Sequence, residues 1–259
     1  TDKTEAIMVV HYGGLPADMP AIIKIAQKHN LRLIEDSAEC LGATYNDIQV
    51  GTYDMGCFSF FPTKNITTGE GGMFTTNDDA LARRIRTLIA HGIDSTTFAR
   101  EKAEKPWLRI ASQYGYNFRM SNVLAAIGAE QMKKLNTLNA ARQHIANCYI
   151  QRLSKNTQIG LHHIPKGFTH SWQMFTILVP QNVRDPLLAH LREQQIEASV
   201  HFDPPVHQQE PYHDIYQATP LDNTNLVSAS LITLPIFPTM TENQVARVCD
   251  TLLSYPGLQ

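Results

Sequence analysis

Apolar residues alternate between strand-like runs and helical spacing over the first 90 positions. Ala6 to His11 (AIMVVH) is a β-branched run that ends at Gly13 and Gly14. Ala17 to His29 then places Ile22, Ile23, Ile25 and Ala26 at helical spacing, and Leu31 to Ile34 is again strand-like, closing on Glu35 and Asp36. Strand, helix and strand joined by short connections predict parallel pairing with a right-handed crossover. Cys57 to Phe61 and Met73 to Thr76 read as further strands, and Asp79 to Ile89 reads as a helix with Arg83, Arg84 and Arg86 on a solvated face. Residues 94 to 112 are polar and aperiodic, which predicts a long surface loop. From Ser121, an N-cap, helical spacing continues to about residue 155, with a break expected near Asn136 to Asn139.

The pattern predicts an α/β protein with a large domain at 1–138, built on a mostly parallel sheet, and a small α+β domain at 139–259. The small domain is expected to contain a strand at Met174 to Val179, a helix at Arg184 to Gln195, and a strand at Ala198 to Phe202. A Pro-rich loop at Asp203 to Pro211 and a closing helix capped by Thr241 complete it. No apolar run approaches the roughly 20 residues of a membrane-spanning helix. The 259 residues carry 22 Lys plus Arg against 24 Asp plus Glu, a net charge of -2 with no basic stripe, which argues against nucleic-acid or anionic-membrane partners. Cys40, Cys57, Cys148 and Cys249 form no C-x-x-C pair and read as reduced core thiols of a cytoplasmic protein. The chain opens T-D-K-T-E, with no initiator Met and no signal region, as if cut from something longer.

Ligands of parallel α/β sheets bind beyond the carboxyl ends of the strands, so residues that follow strands are examined first. Asp36 closes one strand, Ser59 lies late in another, and Lys64 follows three residues after it in PTKNITTGEGG. If the two strands are neighbours, a carboxylate, a hydroxyl and an amine share one rim. Pyridoxal phosphate uses such a set: a lysine for the Schiff base, an acid for the ring nitrogen, and small hydrogen-bonding groups for the phosphate. Glycines at 69, 71 and 72 would let the backbone pass close to a ligand. Plainer readings compete. A loop lysine is ordinarily solvated, an Asp after a strand ordinarily serves a local turn, and the glycines alone signal only a tight turn.

The segments IEDSAECLGATY, GCFSFFPTKNITTGEGGMFTTND and GYNFRMSNVLAAIGAEQ resemble the DegT/DnrJ/StrS-type sugar aminotransferases, which are fold-type I pyridoxal phosphate enzymes. VHYGGLPADMPAI, VHFDPPVHQQEPY and LPIFPTMTENQV extend the likeness over essentially the whole chain. The resemblance implies the aspartate-aminotransferase-like fold, with Lys64 as the Schiff-base lysine, Asp36 as the pyridine-nitrogen partner and Ser59 as a phosphate ligand. It matches Asn117 of G-x-N-x-R-M to a residue that reaches the phosphate of the neighbouring subunit, so a homodimer with shared sites is expected. His201 and the loop to Tyr212 match the stretch near the bound nucleotide sugar. Reading His201, His207 and His213 as a metal site is set aside, because a strand followed by a Pro-rich loop fixes no ligand geometry. No metal is expected.

The implied reaction moves an amino group from L-glutamate, by way of pyridoxamine phosphate, to a keto group of a 6-deoxyhexose carried on a nucleoside diphosphate. Lys64 stands where related dehydratases have His. The chain departs from the family in two places. Glu39 stands where Gln or His is commoner beside the cofactor ring, which puts the substrate subclass in question. The family's leading stretch, with its Gly-Thr or Gly-Ser phosphate loop, ring-stacking aromatic and first strands, is absent from this sequence. An exposed sheet edge and an uncovered apolar face follow. That stretch was either cleaved or lies outside this sequence, is supplied by a second polypeptide, or is missing from a truncated homologue that acts as a dimerising or regulatory module without catalysis.

Overall fold

The computed structural model describes residues 1–94, 101, 102, 104–212 and 220–259. The chain divides into two compact units. The first comprises Thr1–Tyr12 and Pro16–Leu135, and the second comprises Gly13–Leu15 and Asn136–Gln259.

In the first unit, β1 (Ala6–Val10), α1 (Met19–His29) and β2 (Arg32–Asp36) form the expected strand–helix–strand, and β1 and β2 pair in parallel. The α1 helix starts two residues later than the pattern suggests, because the Asp18 side chain accepts the amide of Ala21 and Pro20 occupies the first turn. Asn30 closes it in the left-handed conformation. A two-stranded antiparallel excursion, β3 (Thr44–Tyr45) and β4 (Ile48–Gln49), precedes β5 (Met55–Ser59) and β6 (Gly72–Thr76). The main sheet runs β1-β2-β5-β6, with β5 parallel to β2 and β6 antiparallel to β5. The sheet is therefore mixed at one end, since only a loop joins β5 to β6. β1 is the opposite edge strand, and its Met8 and Val10 are 63% and 53% exposed.

α2 (Asp79–Leu88) is capped by Asp78, which accepts the amides of Ala80 and Leu81. Residues 95–100 and 103 of the expected loop lie outside the described residues, and 104–112 are exposed. α3 (Asn122–Met132) is capped by Ser121, and α4 (Leu135–Leu153) follows. The break falls at Lys133–Lys134, not at Asn136 to Asn139, which lie inside α4. Burial of Leu135, Ile145, Ala146 and Tyr149 outweighs the weak helix propensity of the asparagines.

The second unit packs α4 against β7 (Phe175–Leu178), α5 (Gln181–Glu193), α6 (Asp222–Ser230), β8 (Leu231–Leu234) and α7 (Glu242–Leu253). β7 and β8 are antiparallel. Two expectations change here. Ala198 to Phe202 makes only a single bridge, Ser199 to Thr233, and is not a strand, because Pro204 and Pro205 cannot donate to a longer ladder. The strand that pairs with β7 is Leu231–Leu234, all four residues of which are buried, so it shows no alternation. Thr241 caps α7 through a reciprocal bond with Gln244, and Val245, Val248, Cys249 and Leu252 form its buried face. Gly14 joins this unit because the amide of Ser171 donates to its carbonyl at 2.8 Å. A Cβ there would lie 2.8 Å from Ser171 Oγ, at φ +112.

Two buried polar groups couple the fold to pH. In the first unit, Glu35 and His11 are fully buried, with His11 Nε2 3.0 Å from Glu35 Oε2. The amide of Ala17 donates to His11 Nδ1, so Nε2 carries the proton and donates to the carboxylate. Glu35 also accepts the amides of Gly51 at 2.8 Å and Tyr53 at 3.1 Å. Burial alone would raise its pKa, but these donors hold it below the ordinary 4.5. In the second unit, His170 is 5% exposed and stacks on Trp172 with centroids 3.9 Å apart. Burial, reinforced by His162, pushes its pKa down to about 3.

The signs follow from linkage. Glu35 contributes stability that is present above pH 4.5 and lost as pH falls through its lowered native value. Glu35→Gln should cost about 3 kcal/mol at neutral pH and remove that part of the acid sensitivity, as read from urea unfolding. His170 stays neutral in the native state while the unfolded chain takes up a proton below pH 6.5, so stability falls as pH drops from 6.5 towards 3. Between pH 6 and 5, His170→Asn should flatten the wild-type slope by up to about 1.4 kcal/mol per pH unit. An unchanged slope would show that His170 titrates normally.

Candidate active site

The site grows from the pairing of β2 with β5. Their register sets Asp36 opposite Cys57, so the two side chains share one face of the sheet, while Glu35 turns to the other. The amide of Ser37 donates to the Cys57 carbonyl at 2.8 Å, which carries the alignment past the end of β2. Asp36 Oδ1 accepts the Ala38 amide at 3.1 Å. Its charge is felt by Cys57, whose thiol is pushed up first by burial and then by Asp36. Ser59 lies two residues beyond Cys57 on the same face, and its Oγ accepts the Phe61 amide at 3.3 Å. The hydroxyl hydrogen stays available to a further acceptor.

Lys64 sits on a loop pinned by its own hydrogen bonds. The amides of Phe60 and Lys64 reach the carbonyls of Gly71 and Phe61, and the Thr68 amide returns to Phe60. Asn65, Ile66 and Thr68 within it are buried. The Lys64 side chain is 17% exposed and its Nζ lies 3.3 Å from Oε1 of Glu39, which is 14% exposed. Glu39 stands in the turn that Asp36 opens, so the amine and the strand-end carboxylate belong to one cluster of loops. Tyr12, beyond the end of β1, is raised to about 12 by burial and by Glu39. The sequence does not single out Tyr12; only its position two residues past an apolar strand could have drawn attention to it.

The glycines after Lys64 have tasks within the protein. A Cβ at Gly71, where φ is +151, would lie 2.4 Å from Met120 Cε and 2.8 Å from Thr68 Oγ1, and Gly72 belongs to β6. The Asn117 backbone bridges Ala90 while its Oδ1 accepts from Arg119 Nε at 3.3 Å; the residue is exposed. Large apolar side chains are also exposed nearby in sequence, including Tyr116 and Phe118, and Val123 and Ile127 of α3.

His201 and Tyr212 belong to the second unit. His201 Nδ1 lies 2.9 Å from Thr233 Oγ1, His207 Nε2 lies 2.8 Å from Asn225 Oδ1, and Tyr212 is exposed in a short turn. His213 lies outside the described residues.

A profile of the DegT/DnrJ/EryC1/StrS aminotransferase family matches residues 1–253. An uncharacterised protein of Methanocaldococcus jannaschii is 36% identical over 97% of this chain and 67% of its own length. The structure of S. venezuelae DesV, solved in complex with a ketimine intermediate, superposes with a TM-score of 0.86 at 30% identity, covering 97% of this chain and 65% of that one. Helicobacter pylori PseC, an aminotransferase of pseudoaminic acid biosynthesis, gives 0.89 at 26% identity, covering 98% and 67%. The chain thus spans about two thirds of the length of these relatives. With a mostly parallel sheet in which Asp36 and Ser59 end neighbouring strands and Lys64 meets Glu39 in the loops beyond, and with a family match over nearly all its residues, the chain belongs to the DegT/DnrJ/EryC1/StrS aminotransferase family.

Proposed function

We propose that this chain carries the cofactor-binding lysine and ring-nitrogen partner of a pyridoxal phosphate-dependent sugar aminotransferase. The observation that carries the reading is the half-buried Lys64 amine, held 3.3 Å from Glu39 beside the strand end at Asp36. The groups present suit the cofactor. A carboxylate and a hydroxyl with a spare hydrogen end two neighbouring strands, an amine stands on the loop beyond one of them, and Asp36 makes no further side-chain hydrogen bond among the described residues. Lys64, Asp36, Glu39 and Ser59 would hold it, and family members are pyridoxal phosphate enzymes. When bound, pyridoxal phosphate supplies a carbonyl that condenses with amines and a protonated ring that accepts an electron pair.

The remaining roles fall to this chain's own side chains. Asp36 accepts a hydrogen bond from the ring nitrogen and keeps it protonated. Ser59 donates to a phosphate oxygen. Glu39 would orient Lys64 Nζ, and the unprotonated amine would act as the base that takes the proton from the donor's α-carbon and holds it for return. The same amine works in reverse for the keto sugar. The proposed donor is L-glutamate, and the acceptor is a keto-6-deoxyhexose linked to a nucleoside diphosphate, met by His201 and Tyr212. Asn117, exposed among apolar side chains that a second copy would cover, is proposed to complete the neighbouring subunit's site in a cytoplasmic homodimer. A dimerising or regulatory module without catalysis is the competing reading, since the chain spans only part of its relatives' length.

Borohydride treatment with pyridoxal phosphate should fix the cofactor's mass on the Lys64 peptide. Lys64→Ala should abolish both labelling and amino transfer while the circular dichroism spectrum stays unchanged. Protein that remains colourless and unlabelled would favour the non-catalytic module. Mixing Asn117→Ala with Lys64→Ala chains should recover part of the activity if subunits share sites; no recovery would assign Asn117 to its own subunit or to structure.

A further inference from the structure

The second unit brings Glu242 to two potential metal ligands, His144 and Cys148, from which it is far apart in sequence. His144 and Cys148 lie one turn apart on α4, and Glu242 is the first residue of α7. His144 Nε2 is 3.0 Å from Glu242 Oε1 and 3.9 Å from Cys148 Sγ, and all three ligand atoms lie within 4.8 Å of one another. A tetrahedral zinc ion with metal–nitrogen and metal–oxygen bonds of about 2.0–2.1 Å and a metal–sulfur bond of about 2.3 Å needs ligand separations of about 3.3–3.6 Å. The nitrogen–oxygen and nitrogen–sulfur distances bracket that range.

From this geometry we infer that His144, Cys148 and Glu242 form a binding site for a borderline divalent cation of the zinc class. Imidazole, thiolate and a single carboxylate favour such an ion over magnesium or calcium, which take oxygen-rich sites. On binding, the neutral imidazole takes the tautomer with its one proton on Nδ1, so that Nε2 coordinates through its lone pair and Glu242 through Oε1. The Cys148 thiol releases its proton to solvent and coordinates as thiolate. The helix fixes the spacing of two ligands, and the half-buried Cys148 packs against the core of the unit, which anchors the sulfur. His144 and Glu242 have side chains 60% and 70% exposed, so water can fill the fourth position. Read as an ion pair alone, that exposed His–Glu contact would contribute little. Arg152, one turn further along α4, is engaged by Asp250 at 3.9 Å. The expected consequence is a cross-link between α4 and α7 that raises stability with metal concentration.

The test is a titration of cobalt(II) chloride into the full chain under a non-chelating reductant. Wild type should develop a sulfur-to-cobalt charge-transfer band in the near ultraviolet with tetrahedral visible bands, and zinc should displace them. Cys148→Ser should lose the charge-transfer band, and His144→Ala should weaken cobalt binding at least about tenfold, with far-ultraviolet spectra confirming that both variants fold. A wild-type chain that shows no sulfur band would overturn the inference, as would a band that persists at full strength in Cys148→Ser.

Discussion

The parallel register of β2 with β5 is the constraint on which the candidate site depends. By setting Asp36 opposite Cys57 it sends a carboxylate and the Lys64 loop out of the same end of one sheet. A slip of one residue would turn Asp36 to the opposite face, where Glu35 now lies among fixed donors. Glu35 guards against that slip, because its carboxylate is matched to His11 and to the amides of Gly51 and Tyr53 only in the observed register. Gly51 can present its amide this closely because it has φ +74 and no Cβ; an added one would lie 2.5 Å from the Phe58 ring. One face of the sheet is thus locked by a buried polar network, while the other carries the candidate residue Asp36.

Much of this was legible in the residue pattern. The strand–helix–strand opening, the N-caps at Ser121 and Thr241, and the neighbouring strands that end at Asp36 and Ser59 follow from local rules of periodicity and capping. Features set by long-range packing were not. Leu231–Leu234 is buried on both faces and so carries no alternation, whereas Ala198 to Phe202 alternates well but meets two prolines before it can extend a ladder. The Asn-rich start of α4 looked like a break because propensity is local, while the burial of Leu135 and Tyr149 is not.

The site divides in the same way. Asp36, Ser59 and Lys64 are candidates from their places at or beyond strand ends, but the contact of Lys64 with Glu39 joins residues 25 positions apart, and only the fold displays it. That contact gives Glu39 a definite partner. The convergence of Glu242 on His144 spans 98 positions and lies equally beyond spacing arguments. Both meetings are consequences of packing, which brings helix starts and strand ends together without leaving a motif.

The central claim is that Lys64 and Asp36 address opposite ends of one bound cofactor ring. A crystal structure of the chain with pyridoxal phosphate measures this directly. The account predicts density continuous from the Lys64 side chain into the cofactor, with an Asp36 carboxylate oxygen about 2.7–3.0 Å from the ring nitrogen. Cofactor density that leaves Lys64 Nζ on Glu39, or a ring nitrogen turned away from Asp36, would contradict it.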